Sequence, residues 1–134
     1  MNIKEADVSR NTALYRLVLP MTGITSIDVS HNSALRILDV ADTEVTFVDL
    51  SHNPKLESYY CCRSKVTYVD LRSNNAIYLM HTYSGSVACI DIPETNNLQV
   101  FVSGGNVYPV TLASDRTFDL TTIRGFDVNR MSEI

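Results

Sequence analysis

Three residues of this 134-residue chain could together form a nucleophile and its base. Cys62 offers a thiol, His81 a base, and Asp39 a carboxylate that could orient the base, which is the set that a cysteine nucleophile requires. Nothing around them predicts oxyanion donors or an enclosed pocket, and their spacing places them on an open surface. The sequence therefore predicts a protein that is not an enzyme and that carries no cofactor.

Two further sets of residues have the chemistry of metal ligands. His31 and His52 stand 21 residues apart, but zinc needs three or four ligands in a tetrahedral array, and Arg10, Ser73 and Glu94 fill the remaining equivalent positions. Aspartates at the same spacing offer oxygen ligands to calcium, although a row of single carboxylates is a poor cage. No metal is predicted at either set. The aspartates are Asp7, Asp28, Asp49, Asp70 and Asp91.

Composition narrows the class of partner. Hydrophobic residues make up 45% of the chain, which is enough for one packed domain, and the net charge is −4. No cluster of lysine and arginine is present, which argues against nucleic acid as a partner. No apolar run approaches the roughly 20 residues of a membrane span, and the first residues lack the pattern of a signal peptide. The odd count of three cysteines predicts free thiols rather than a disulfide framework.

The spacing of 21 residues extends to the apolar positions and predicts a solenoid. Leu35, Leu38 and Val40 give the pattern L-x-x-L-x-L of a leucine-rich repeat. We expect short parallel β-strands on the concave side, stacked about 4.8 Å apart, with 3₁₀ or extended return segments and little α-helix. The predicted fold class is thus a leucine-rich repeat solenoid. Its central inward column is Leu17, Leu38, Tyr59, Met80 and Phe101.

Two recurring polar residues have structural roles in such a stack. The aspartates are expected to accept backbone N–H groups of the turn that follows, as helix N-caps do. Asn11, Asn32, Asn53 and Asn74 recur four residues after an aspartate. Their amide side chains are expected to lie inside and to bond backbone groups that the tight corners leave unpaired.

The pattern D-[VL]-S-x-N-x-x-L-x-x-L at this spacing resembles bacterial leucine-rich repeats of the internalin J type. Such repeats occur in surface and secreted proteins, so the resemblance implies an extracellular or cell-surface location. Many relatives carry a ladder of cysteines where this chain has Cys61, but only one rung is kept here. The column is Leu19, Val40, Cys61, Thr82 and Ser103. The asparagine that usually follows the strand is also mostly replaced, since that column is Thr22, Thr43, Ser64, Gly85 and Asn106.

The chain is predicted to have two parts. Residues 1–106 form about five 21-residue coils, and residues 107–134 form a closing β segment that resembles the stretch after the repeats in similar proteins. In this segment we expect strands over residues 107–113 and 117–120 and a short helix capped by Asp127. The segment looks truncated, so we expect a fragment of a larger repeat protein, with a complete small protein as the alternative.

The strand positions that flank the inward residues point to the concave side, and they include Ala41, Ser58 and Cys62. Tyr60, His81 and Tyr83 come together there, with Asp39 and Arg63 close by. Tyrosine and arginine are enriched in binding hot spots, and these five residues are therefore the predicted ligand-binding site. The alternative is that strands simply favour aromatic residues wherever they lie.

The sequence thus predicts a non-catalytic protein–protein interaction module of a bacterial surface or secreted leucine-rich repeat protein, binding through its concave β face. The expected partner is a protein ligand, for example a host or cell-surface protein, and not nucleic acid. Two alternatives stay open: a structural spacer or stalk, and the repeat arm of a larger multidomain protein or enzyme.

Overall fold

In the computed structural model the chain winds into a β-solenoid whose windings repeat every 21 residues. The structure describes residues 3–83 and 86–92 with their side chains, and the strands at 99–102, 106–109 and 117–119 by their backbone. Within these residues there is no helix. The strands are β1 Arg16–Val18, β2 Ile37–Asp39, β3 Ser58–Tyr60, β4 Tyr68–Asp70, β5 Leu79–His81, β6 Cys89–Asp91, β7 Gln99–Val102, β8 Asn106–Pro109 and β9 Thr117–Asp119.

The main sheet has six strands in the order β1-β2-β3-β5-β7-β8, of which the first five are parallel. Leu38 is aligned with Leu17 and Tyr59, and Tyr59 with Met80, so the predicted inward column forms a continuous row over four windings. The predicted leucine-rich repeat solenoid with short parallel strands and extended returns is confirmed.

One hydrophobic core runs through the stack. Its members come from every apolar position of the repeat, and Leu35, Leu38, Leu56 and Met80 are completely buried. Burying such a side chain contributes roughly 1.5–3 kcal/mol before the entropy of ordering it is subtracted. A single winding has no neighbour to cover this surface, so the windings are stable only as a stack.

Most of the recurring polar residues make the bonds that the sequence predicts, whereas the side chain of Asn11 in the first winding is exposed and not inside as predicted. The Nδ2 group of Asn53 donates to the backbone oxygens of Val29 and Asn32, at 3.0 and 2.9 Å, and Asn32 and Asn74 each make the equivalent pair of bonds. The carboxylates of four aspartates each accept the backbone N–H of the residue two positions later in the chain, at 2.9–3.0 Å. These aspartates are Asp7, Asp28, Asp49 and Asp70.

A second, three-stranded sheet was not predicted. It has the order β4-β6-β9, with β4 and β6 parallel and β9 antiparallel to β6. The hydroxyl of Tyr68 donates to Asp91 at 2.6 Å, and Phe47 lies parallel to the Tyr68 ring with centroids 6.4 Å apart. Valine and tyrosine in the return segment thus support pairing where the sequence predicted only extended chain.

The prediction for the fifth winding was wrong by one residue. A constant spacing of 21 would align Met80 with Phe101, whereas the structure aligns Met80 with Val100 and His81 with Phe101. In a strand a shift of one residue exchanges the two faces. β7 also pairs antiparallel with β8, and this hairpin imposes a register constraint that is absent from the repeat.

Strand β9 lies within the predicted strand 117–120, and β8 overlaps the predicted strand 107–113 but begins one residue earlier, at Asn106; both are shorter than predicted. The predicted helix capped by Asp127 lies outside the described residues. The boundary at residue 106 stays a prediction.

Three residues predicted to point outward are buried instead. They are Ala41, Ser58 and Cys62, with 9%, 3% and 5% of their surface exposed. Ser58 is small and stands between the larger Ile37 and Leu79 of the neighbouring windings, and Cys62 stands one repeat before the larger Tyr83. Alternation along a strand predicts direction but not how far the neighbours reach.

Candidate functional site

The five predicted site residues lie on and beside the outer face of the main sheet. We call Asp39, Tyr60, Arg63, His81 and Tyr83 the strand patch. The structure brings them together as two adjoining groups, a central row on the strands and a cluster just past the strand ends. Their role in binding stays a prediction.

The central row contains Asp39, Tyr60 and His81 on β2, β3 and β5. Asp39 is aligned with Tyr60, and Tyr60 with His81. The rings of Tyr60 and His81 are 5.0 Å apart between centroids and tilted by 49°, an arrangement that aromatic pairs favour. All three residues are half-buried. Burial lowers the pKa of His81, and the carboxylate of Asp39 only partly opposes this effect.

The second group is built around Arg63. Its Nε and Nη2 atoms donate to the two carboxylate oxygens of Asp42, each at 2.6 Å, and its Nη1 donates to the hydroxyl of Tyr83 at 2.8 Å. The guanidinium carbon also lies 5.2 Å from the centre of the Tyr83 ring. This bidentate pair lowers the pKa of Asp42 and raises that of Arg63.

The turn after each strand places this second group. Met21, Asp42 and Arg63 occupy the same position of three successive windings and have φ angles of 54°, 55° and 50°. In the next position a hydroxyl group donates to the backbone oxygen three residues earlier, from Thr43 to Val40 at 2.6 Å, for example. The hydroxyls of Thr22 and Ser64 make the same bond, so a hydroxyl group fixes this turn in three successive windings.

Asp42 was not among the predicted site residues, although it is the partner that orients Arg63. A signal was present in the sequence. Asp42 and Arg63 are one repeat apart with opposite charges, and residues one repeat apart lie side by side in a solenoid.

Cys62 lies between the two groups, and its surroundings do not activate it. Burial raises the pKa of its thiol to about 11 and outweighs the opposing effects of the Tyr83 backbone and Arg63. The neighbouring Cys61 lies in the core, where burial also raises the pKa of its thiol. A nucleophilic cysteine needs the opposite, a thiolate stabilised by nearby positive charge.

The other margin of the strand face carries a second ion pair. Arg36 contacts Glu57 at 2.7 Å, just before β2 and β3. Between this pair and the central row lie Ile37 and Leu79, both half-buried. The face therefore has an apolar and aromatic centre with ion pairs along both margins, which resembles the core and rim of a protein interface.

Outside the strand patch, the described residues hold little that suggests chemistry. They contain no group of three or more His, Cys, Asp or Glu residues placed to hold a metal ion. His31 is exposed, with its Nδ1 3.1 Å from the Ser30 hydroxyl. A groove of about 520 Å³, lined by residues 4–7, Gly23 and residues 25–28, contains no residue of the strand patch.

None of the described segments forms a helix that is long and apolar enough to cross a membrane.

Comparison with known proteins identifies a relative of known structure. The chain is similar to the functional domain of InlJ from Listeria monocytogenes, described as including a cysteine ladder, with 27% identity and a TM-score of 0.67. The match covers 77% of this chain and 23% of the InlJ chain, so this chain spans about a quarter of that structure. No protein-family model matches the chain, and no curated protein matches it.

The similarity confirms the resemblance to internalin-type leucine-rich repeats of bacteria that the sequence pattern indicates. The cysteine ladder is one point of difference within the described residues. Val40 and Thr82 flank Cys61 in its column, and all three are completely buried, so the core keeps its packing without the other cysteines.

Proposed function

We propose that this chain is a non-catalytic protein-interaction module of a bacterial surface or secreted protein, and that it binds a protein ligand through the strand patch. The similarity to the functional domain of InlJ supports an interaction role. The surface or secreted location rests on the same similarity.

The observation that carries the proposal is that side chains of the strand patch are held in fixed positions. Tyr60 is held against His81, and Arg63 is held by three hydrogen bonds to Asp42 and Tyr83. Side chains fixed in this way lose little conformational freedom when a partner binds, which favours affinity. They are also residue types that dominate binding energy in protein interfaces.

The environment of Cys62 supports the non-catalytic part of the proposal. Burial raises the pKa of the Cys62 thiol and lowers the pKa of His81, so both shifts oppose a thiolate–imidazolium pair. The strand patch is also an open face, whereas catalytic groups work best where water is excluded.

The test begins with extracellular proteins from bacterial and host-cell cultures, passed over the immobilised chain. Retained proteins are identified, purified and titrated against the native chain and a Tyr60→Ala/His81→Ala variant. Since hot-spot residues contribute about 2 kcal/mol each, we expect the double variant to bind at least about 30-fold more weakly.

The matched control is Phe47→Ala, which removes an aromatic residue that is 47% exposed and packs against Tyr68 of the second sheet. It should change affinity by less than about twofold, because surface substitutions away from the interface have small effects. Equal affinity of the native chain and the double variant, with unchanged thermal unfolding, would overturn the proposal. So would a native chain that retains no protein.

A further inference from the structure

On this side of the described part of the solenoid, three ion pairs join neighbouring windings. In each ion pair the two residues stand one repeat apart, so stacking brings them side by side. The pairs are Arg36 with Glu57 at 2.7 Å, Asp42 with Arg63 at 2.6 Å, and Glu44 with Lys65 at 4.0 Å.

Asp39 is different. Its neighbours in the two adjacent windings are Val18 and Tyr60, neither of which can neutralise a carboxylate. Arg16, the cation on β1, is aligned with Ile37 instead. Among the described residues Asp39 has no ion pair within 4.0 Å.

The carboxylate of Asp39 is nevertheless held in a fixed orientation. Its Oδ1 accepts the backbone N–H of Ala41 at 2.9 Å, and the residue is half-buried. A partly desolvated carboxylate gains more from a cationic partner than a fully hydrated one does, because the surrounding dielectric is lower.

Tyr60 completes the arrangement. It contacts His81 on the side of β5, while on the side of β2 its aligned neighbour is Asp39. A carboxylate and an aromatic ring in adjacent strands, about 4.8 Å apart, are the two groups that together bind a cation. Val18, 39% exposed, adds apolar surface on the far side of Asp39, where the aliphatic stem of a long basic side chain can pack.

We propose that Asp39 and Tyr60 form a receptor for a basic side chain, arginine or lysine, of the protein ligand. The inference rests on the proposed function and defines the chemistry that the ligand must present at the centre of the strand patch. Charge complementarity selects this occupant, since an apolar group placed there would bury the carboxylate with only the N–H of Ala41 and no cation to balance its charge.

The experiment uses a library of random linear peptides displayed on phage and selected on the immobilised native chain. Peptides whose affinity falls with the Tyr60→Ala/His81→Ala variant are synthesised, because they bind at the strand patch. We expect them to share an arginine or lysine. Replacing this residue by citrulline or norleucine, which remove the charge, should weaken binding to the native chain about tenfold or more.

The same replacement should change binding to an Asp39→Asn variant by less than about twofold, because the interaction is already lost there. A double-mutant cycle isolates this coupling from other effects of each change. Asp49→Asn is the matched control, because Asp49 also accepts an N–H two residues onward at 2.9 Å. It lies at the corner that contains the recurring aspartates and asparagines, residues 28–32, 49–53 and 70–74, which we call the turn edge. Its variant should bind like the native chain.

The outcomes separate the inference from the proposed function. Peptides that need Tyr60 and His81 but bind equally well to Asp39→Asn would overturn the inference and leave the proposed function standing. An equal loss from citrulline on the native chain and on Asp39→Asn would also overturn it. If no selected peptide depends on Tyr60 and His81, the proposed function fails and the inference fails with it.

Discussion

The turn edge and the strand face of this solenoid repeat with the same period, but only the turn edge keeps the same residue types from one winding to the next. On the turn edge the same residue types recur and make the same bonds, as Asn32, Asn53 and Asn74 do. On the strand face the equivalent positions change with every winding, for example from Asp39 to Tyr60 to His81. The difference separates residues that hold the fold from residues that are available to a partner.

The physical reason lies in what each region must satisfy. At the turn edge, buried backbone oxygens such as those of Val29 and Asn32 each accept one N–H of their own turn, and an asparagine from the next winding supplies a second donor. On the strand face the backbone is already bonded in the sheet. Its half-exposed side chains therefore vary at little cost to stability.

Removing one amide of the inner row is the largest expected effect. Asn53→Ala removes one of the two donors to the buried oxygens of Val29 and Asn32, each of which keeps a backbone N–H of its own turn. Each lost bond contributes about 0.5–1.5 kcal/mol, so we expect a decrease of about 1–3 kcal/mol in the free energy of unfolding. Urea denaturation measures it. The matched control is Asn11→Ala, which changes the same repeat position where the side chain is exposed, and it should cost less than about 0.5 kcal/mol. Equal losses from both would remove the distinction between the two regions.

Arg63→Ala should have the opposite effects, a small change in stability and a large loss of affinity. Arg63 belongs to a surface ion pair, so we expect a stability change below about 1 kcal/mol. It also orients Tyr83, and peptides selected on the strand patch should bind about tenfold more weakly. Affinity and thermal unfolding are measured on the same samples. Arg36→Ala, which breaks the ion pair at the other margin, should affect these peptides less. A large loss of stability with unchanged affinity would contradict the division between edge and face.

Much of this arrangement could be predicted from the repeat. The spacing predicted which residues share a column, and so it predicted the row through Leu38, the bonds of Asn53 and the meeting of Tyr60 with His81. The prediction from spacing was wrong at two places. At β7, which also pairs with β8 in a hairpin, the register is shifted by one residue, and Cys62 is buried although alternation placed it on the outer face.

Other features depend on side-chain geometry, which a spacing rule does not contain. The fork of Arg63 onto Asp42 needs a left-handed turn at both positions, although neither residue is glycine. The second sheet depends on the hydroxyl of Tyr68 reaching Asp91. The lack of a cation beside Asp39 among the described residues follows from the ion pairs between windings, which the repeat spacing alone does not determine.

A substitution at Tyr59 tests whether a residue of the inward row, like those of the strand face, can be changed without loss of stability. Tyr59 stands in the inward row between Leu38 and Met80, is fully buried, and its hydroxyl has no hydrogen-bond partner among the described residues. Burial therefore raises the pKa of this hydroxyl. We expect Tyr59→Phe to increase the free energy of unfolding by about 1 kcal/mol, since it removes a desolvated polar group and keeps the ring. Chemical denaturation is the measurement, and destabilisation by more than about 1 kcal/mol would contradict the expectation.

Acid titration gives the smallest effect and compares carboxylates of the two regions directly. The pKa values of Asp42, beside the strand face, and of Asp49, on the turn edge, are both lowered from 3.8, the first by Arg63 and the second by Ser51. A lowered pKa means that the unfolded chain binds more protons in this range. Stability is therefore complete well above pH 3.8 and is lost as the pH falls through the lower folded-state values.

A bond to a charged guanidinium is stronger than one to a hydroxyl or a backbone N–H, so Asp42 should contribute more to this loss than Asp49. We expect Asp42→Asn to reduce the difference in unfolding free energy between about pH 6 and pH 3 more than Asp49→Asn does. Urea denaturation at both pH values checks this, with the native chain as reference. The opposite ranking would mean that the turn-edge aspartates hold their bonds more strongly than the ion pair does. The fold would then depend on that edge even more than the asparagine row implies.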